Sequence, residues 1–117
     1  MQYAREGFAI GQPSLLKDKY VVYKTKGIDA YGKTYESNRR YNEFYQLRQL
    51  MRQSWPGLYV PFVPGKKIIG NKDVKFIIER RYFLERFFMQ MSRYDYLLAG
   101  PEYSVFSRPK DGVEIEK

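Results

Sequence analysis

The stretch Lys33-Thr34-Tyr35-Glu36-Ser37-Asn38-Arg39-Arg40-Tyr41-Asn42-Glu43-Phe44 changes its periodicity partway along. Up to Arg40 it reads as a strand. Beyond it, Phe44, Leu47, Leu50 and Met51 return at helical spacing. Asn42 is a plausible N-cap for that helix, and Glu43 suits a first turn, where a carboxylate meets the positive end of the helix dipole. The helix runs to about Gln53 and is stopped by Trp55-Pro56-Gly57. This switch divides the chain into strands before it and helices after it.

Upstream, Gly7-Phe8-Ala9-Ile10 is a short strand, and Tyr20 to Thr25 is a stronger one, dense in β-branched and aromatic residues. Gly27 to Gly32, with Asp29 between the glycines, has turn chemistry, so the second and third strands form a hairpin. Downstream, residues 56–70 hold Pro56, Pro61 and Pro64 with Gly57, Gly65 and Gly70, an irregular loop. A long helix follows from about Asp73, a good N-cap, to about Met91. Its apolar residues Phe76, Ile77, Ile78, Phe83, Leu84, Phe87, Phe88 and Met91 sweep a broad arc opposite Lys75, Glu79, Arg86 and Gln90. Arg80 falls inside that arc near Phe87 and Met91, with Arg81 close by, and a cation on a core-facing side needs an anion or a route to water. Tyr94–Leu98 and Glu102–Phe106 read as short closing helices broken at Gly100-Pro101. The expected fold class is α+β: a three-stranded antiparallel β-sheet packed against a helical subdomain of three to four helices. Residues 1–108 form one domain, and 109–117 form a polar tail or the start of a linker.

Composition narrows the function. The 117 residues are 44% hydrophobic, 29% charged and 18% aromatic, as expected of one folded domain with a modest core. With no cysteine, disulfides and thiolate metal sites are excluded. With no histidine, the usual general base and the commonest zinc ligand are missing as well, so we expect neither an enzyme nor a cofactor or metal. No apolar run approaches the roughly 20 residues that span a bilayer, and no apolar segment follows Met1–Gly7 to make a signal peptide. Residues 39–93 hold twelve Lys/Arg against four Asp/Glu, which accounts for the whole net charge of +8. A localised basic excess implies an anionic partner, or simply a solvated basic face.

Three basic elements stand out. Arg39-Arg40-Tyr41 sits at the strand–helix junction, where alternation sends the two arginines to opposite faces, so only one reaches a given ligand. An arginine fork grips phosphate oxygens bidentately and Tyr41 can stack on a sugar-like ring, although pairing with Glu36 or Glu43 is the ordinary alternative. Pro61-Phe62-Val63-Pro64-Gly65-Lys66-Lys67 is a stiff loop that presents Lys66 as a point charge, or merely a solvated loop, and its Pro-x-x-Pro can serve as an SH3 ligand. Glu79-Arg80-Arg81 offers Arg80 from the helix side, unless its stem packs on Phe87 and its head escapes to water.

Together these elements resemble the PX (phox homology) domain, the phosphoinositide-binding module of sorting nexins and related trafficking proteins, over about Phe8 to Phe106. Arg39-Arg40-Tyr41-Asn42-Glu43-Phe44 is similar to the family's Arg-Arg-Tyr-Ser-Asp-Phe signature. Pro61-x-x-Pro64-Gly65-Lys66 is similar to its proline-rich loop, without the doubled prolines at the start, and Ile78 to Phe87 is similar to its second long helix. The resemblance implies that Arg40 holds a 3-phosphate, Tyr41 lies under the inositol ring, Lys66 meets the 1-phosphate and Arg80 the 4- and 5-hydroxyls. It implies phosphatidylinositol 3-phosphate as ligand and a cytoplasmic protein peripheral on endosomal membranes, acting in protein transport within a longer, sometimes dimeric chain. Lys67, Ile68 and Ile69 are the corresponding membrane-contact residues, in a loop shorter than usual, and combine apolar burial with attraction to anionic lipid. The alternative is a protein–protein interaction module on the same scaffold with weak or no lipid selectivity. Nucleic-acid binding is not expected, because charge and aromatics come without any fingerprint of that class.

Overall fold

The computed structural model describes residues 6–16, 20–63, 65 and 74–108. Three strands, β1 (Ala9–Leu16), β2 (Tyr20–Ile28) and β3 (Thr34–Arg40), form an antiparallel sheet in the order β1-β2-β3. Four helices follow: α1 (Tyr41–Ser54), α2 (Val74–Met91), α3 (Asp95–Ala99) and α4 (Pro101–Phe106). The α+β class and the single hairpin-connected sheet agree with the sequence.

The β2–β3 register runs unbroken from Val22↔Arg40 to Ile28↔Thr34. Asp29 sets the turn: its Oδ1 accepts the backbone N–H groups of Tyr31 and Lys33, each at 2.9 Å, and Gly32 takes the positive φ of +81° that closes it. The turn therefore starts at Asp29, and Gly27 belongs to the strand. Gly27 is needed there for space, since a Cβ would lie 2.8 Å from the Tyr35 hydroxyl and 3.0 Å from Phe88.

β1 is longer than the Gly7–Ile10 expected. Gly11 and Pro13 look like breakers, but an edge strand tolerates proline because half its N–H groups have no ladder partner. One extra residue is absorbed between Ile10, opposite Thr25, and Pro13, opposite Tyr23, as a β-bulge. The outer edge at Ile10 is sealed by α2: Glu85 Oε2 accepts the Ile10 N–H at 3.1 Å, and Arg81 Nη1 donates to the Ile10 carbonyl. Arg81 and Glu85 also pair with each other at 3.7 Å. Two charged residues one turn apart thus do the work of a further strand.

The core lies between the sheet and α1, α2 and α4. α2 contributes Leu84, Phe87, Phe88 and Met91, and α1 contributes Phe44, Leu47 and Met51. The buried arc of α2 is narrower than its hydrophobicity implies, because Ile78 and Phe83 are exposed. Phe44 and Phe88 meet edge to face at 6.5 Å, and Phe8 meets Phe88 likewise at 5.2 Å. Tyr103 donates its hydroxyl proton to the Ile28 carbonyl at 2.7 Å, so the Tyr35 hydroxyl, 3.0 Å away, is the donor to Tyr103.

These buried phenols make stability sensitive to alkali. Burial pushes Tyr23 up to about 12, and pushes Tyr35 and Tyr103 well above the ordinary range. An unfolded tyrosine ionises near 10, so the folded state binds more protons above that pH. Stability should hold below pH ~10 and fall as pH rises through the folded values, by about 3 kcal/mol from Tyr23 alone once its folded pKa is passed. In a phenolate absorbance titration a group of tyrosines should ionise late and together with loss of the native circular dichroism. If all titrate near 10 in a still-folded protein, this account of the core is wrong.

Candidate functional site

The strand–helix corner is built around Glu43. Its Oε1 accepts the Arg40 N–H at 3.1 Å and its Oε2 pairs with Arg39 Nη1 at 2.5 Å. Arg40, extended at φ −84° and ψ 157°, is therefore the N-cap residue, and Tyr41 is the first residue of α1. Asn42, expected as the cap, is instead an exposed helical residue. The reason is that Glu43 reaches back to the Arg40 N–H and starts the helix two residues earlier.

The two arginines diverge as strand alternation requires. Arg39 is 2% exposed and turned into the domain. Besides Glu43, its Nη2 donates to the carbonyls of Phe106 at 2.6 Å and Arg108 at 2.8 Å, and its Cζ lies 5.0 Å over the Phe106 ring. It ties the end of the sheet to the end of α4. Arg40 lies on the opposite face, opposite Val22 in the ladder, with its Cζ 4.2 Å over the Tyr20 ring.

Arg80 comes to the same corner from α2. Its Cζ lies 3.7 Å over the Tyr41 ring and 4.4 Å over that of Phe76, rather than along Phe87 and Met91. Long helical side chains lean toward the N-terminus, which carries Arg80 back over Phe76, one turn earlier. Its Nε is buried without a hydrogen-bond partner, and among the described residues no carboxylate pairs with the guanidinium. Burial lowers the Arg80 pKa, while the Tyr23 and Tyr41 hydroxyls pull it back up. The Tyr41 hydroxyl is pushed up by burial, with Arg80 opposing. The corner thus holds a half-buried cation against two aromatic rings, with no carboxylate among the described residues paired with it.

Of the sequence-derived residues, Tyr41 and Arg80 are in contact, and Arg40 precedes Tyr41 in the chain. Lys66, Lys67, Ile68 and Ile69 lie outside the described residues. The approach to that loop is firmly held: Arg48 Nε donates to the Pro61 carbonyl at 2.8 Å, and Val60 and Val63 are buried while Phe62 is exposed. Tyr20, Tyr23 and Phe76 belong to the corner and were read only as strand or helix residues. Tyr20 was findable: with Val22 opposite Arg40, the residue two earlier on β2 shares Arg40's face and sits diagonally from it.

A model of the PX domain family matches residues 31–107. The chain belongs to that family. It is 35% identical over 68 residues to vacuolar protein sorting-associated protein vps5 of Schizosaccharomyces pombe, a match covering 58% of this chain and 12% of that protein. It is 31% identical over 71 residues to the kinesin-like protein KIF16B of Mus musculus, covering 61% of this chain and 5% of the relative. The chain thus spans a small part of the length of these relatives. In three dimensions it is similar to the X-ray structure of a designed CISK-PX domain, with TM-score 0.73 and 28% identity over 86% of this chain and 97% of that one. Among the described residues no helix is long and apolar enough to cross a membrane.

Proposed function

We propose that this domain binds a phosphoinositide headgroup and so targets its parent protein to a membrane surface, with phosphatidylinositol 3-phosphate of endosomal membranes as its ligand. The observation that carries this is Arg80: a half-buried guanidinium 3.7 Å over the ring of Tyr41, the residue after Arg40, with no carboxylate among the described residues to neutralise it. Burying a cation without a counter-ion costs free energy, and a headgroup whose ring hydroxyls accept the cation's N–H donors, with phosphate charge close by, recovers part of it. In this reading Arg40 takes the 3-phosphate through its fork, Lys66 the 1-phosphate, and Arg80 the 4- and 5-hydroxyls. Arg80 already covers one face of Tyr41, so the inositol ring rests against the Arg80–Tyr41 stack rather than on a bare tyrosine. Lys67, Ile68 and Ile69 make the membrane contact. The domain acts as a binding module, not a catalyst, within a longer protein of intracellular transport.

The second reading is a protein-interaction module on this scaffold. It gains little from the Pro61–Pro64 segment, since Pro61 is buried and its carbonyl is held by Arg48. The test is sedimentation with phosphatidylcholine vesicles carrying, in turn, each phosphoinositide or none. Binding should require a phosphoinositide, favour the 3-phosphate, and weaken but persist as salt is raised. Equal binding to all anionic vesicles would remove the selectivity claim. No binding to any would leave the protein-interaction reading.

A further inference from the structure

Both arginines of the corner rest on rings that the site motif does not include. We infer that Tyr20 and Phe76 are positioning residues, each presetting one guanidinium for the headgroup and thereby setting affinity and selectivity. The inference rests on the lipid reading above.

A free arginine side chain samples many rotamers and must be ordered when it grips an oxygen, which weakens binding. A ring that holds the guanidinium beforehand removes part of that cost. Stacking suits the purpose because it uses the face of the planar group, whereas its N–H donors lie in the plane and stay free for oxygen acceptors. Arg80 has Tyr41 at 3.7 Å and Phe76 at 4.4 Å, so its plane is fixed by two rings. Among the described residues no carboxylate pairs with Arg80, whereas the structural Arg39 is paired with Glu43 and donates through Nη2 to two carbonyls. Arg40 has Tyr20 at 4.2 Å, reached diagonally across the hairpin.

Neither ring belongs to the packed core or to the half-buried residues against it, and both are partly solvent-exposed. Their contribution to stability is therefore small, and their contribution to binding can be measured separately. The two rings also divide the task. Loss of Tyr20 should loosen the phosphate grip of Arg40 and weaken every phosphoinositide alike. Loss of Phe76 should loosen Arg80, which reads the ring hydroxyls, and so erode discrimination between a 3-phosphate and a more phosphorylated headgroup.

The experiment compares Phe76→Leu and Tyr20→Leu with the conservative Phe76→Tyr and Tyr20→Phe. The first readout is the arginine Nε–H resonances of Arg80 and Arg40. Ring currents should displace them in the wild type, Tyr20→Leu should return Arg40 toward free arginine, Phe76→Leu should remove the Phe76 share of the Arg80 displacement and leave that of Tyr41, and the aromatic variants should keep both displaced. The second is binding to phosphatidylcholine vesicles containing phosphatidylinositol 3-phosphate, where each leucine variant should lose about fivefold to tenfold while its melting temperature moves by only a few degrees. Aromatic replacements should rescue binding. Wild-type protein that ignores the vesicles overturns the lipid reading, and this inference falls with it. Wild type that binds while the leucine variants bind equally well, or keep Nε resonances identical to those of the wild type, overturns the inference alone.

Discussion

Arg39→Ala should destabilise the domain by about 3–5 kcal/mol, the cost of breaking a buried ion pair by removing one partner. The Arg39–Glu43 pair has side chains only 3% and 13% exposed, so Glu43 would lose its Arg39 partner in a largely buried setting. The carbonyls of Phe106 and Arg108 would lose the donor that serves both of them. The loss also propagates, because Glu43 holds the N-terminus of α1 through the Arg40 N–H. For a domain of this size each kcal/mol is worth roughly 4 °C, so the melting temperature should fall by about 12 °C or more. Arg39→Met, which keeps the stem and removes only the head, should lose nearly as much, since the missing charge and donors dominate. A variant melting close to wild type would show that the buried pair contributes little and that α4 is held by its rings alone.

The two neighbouring arginines also show what the sequence could and could not decide. Strand alternation separates them onto opposite faces, but which face is inward depends on the Phe106 and Arg108 carbonyls, more than 60 residues away in the chain. The strands and long helices were legible because each has its own period: β-branched and aromatic residues in β2, and Leu84, Phe87, Phe88 and Met91 in α2. The first strand was cut short because Gly11 and Pro13 signal a break locally, whereas a bulge at a sheet edge absorbs both. Residue type alone puts the cap of α1 at Asn42, whereas Glu43, by type a first-turn acid, reaches back to the Arg40 N–H and completes the cap there. Arg80 was rightly marked as an arginine on an apolar arc. Its contact with Phe76, one turn earlier on α2, follows from the helical period, whereas its rest on Tyr41 needed the crossing of α2 over the corner, which no helical period contains. The same holds for Tyr20, whose role follows from the hairpin register and not from its neighbours in sequence.

Arg40→Ala should behave in the opposite way to Arg39→Ala, although the two positions are adjacent. Its backbone N–H, which caps α1 through Glu43, survives the substitution, and the residue is already extended, a conformation alanine adopts freely. The stacking on Tyr20 is lost, which is worth about 0.5–1 kcal/mol at a partly exposed site, so the melting temperature should move only a few degrees. Binding is a different matter. Under the lipid reading, Arg40 supplies the fork to the phosphate that distinguishes the ligand, and truncating one partner of such a charge-assisted contact costs about 2 kcal/mol or more, roughly 30-fold in affinity. Arg40→Lys should fall between, because it keeps the charge but not the bidentate geometry or the planar stack. Vesicle sedimentation and thermal melting of the same preparations separate the two effects. If Arg40→Ala retains full selectivity for phosphatidylinositol 3-phosphate, the anion enters elsewhere and the corner is not the headgroup site. If it loses selectivity while melting near wild type, the loss belongs to the ligand contact and not to the fold, a conclusion that Arg39→Ala, whose defect starts in the fold, could never support.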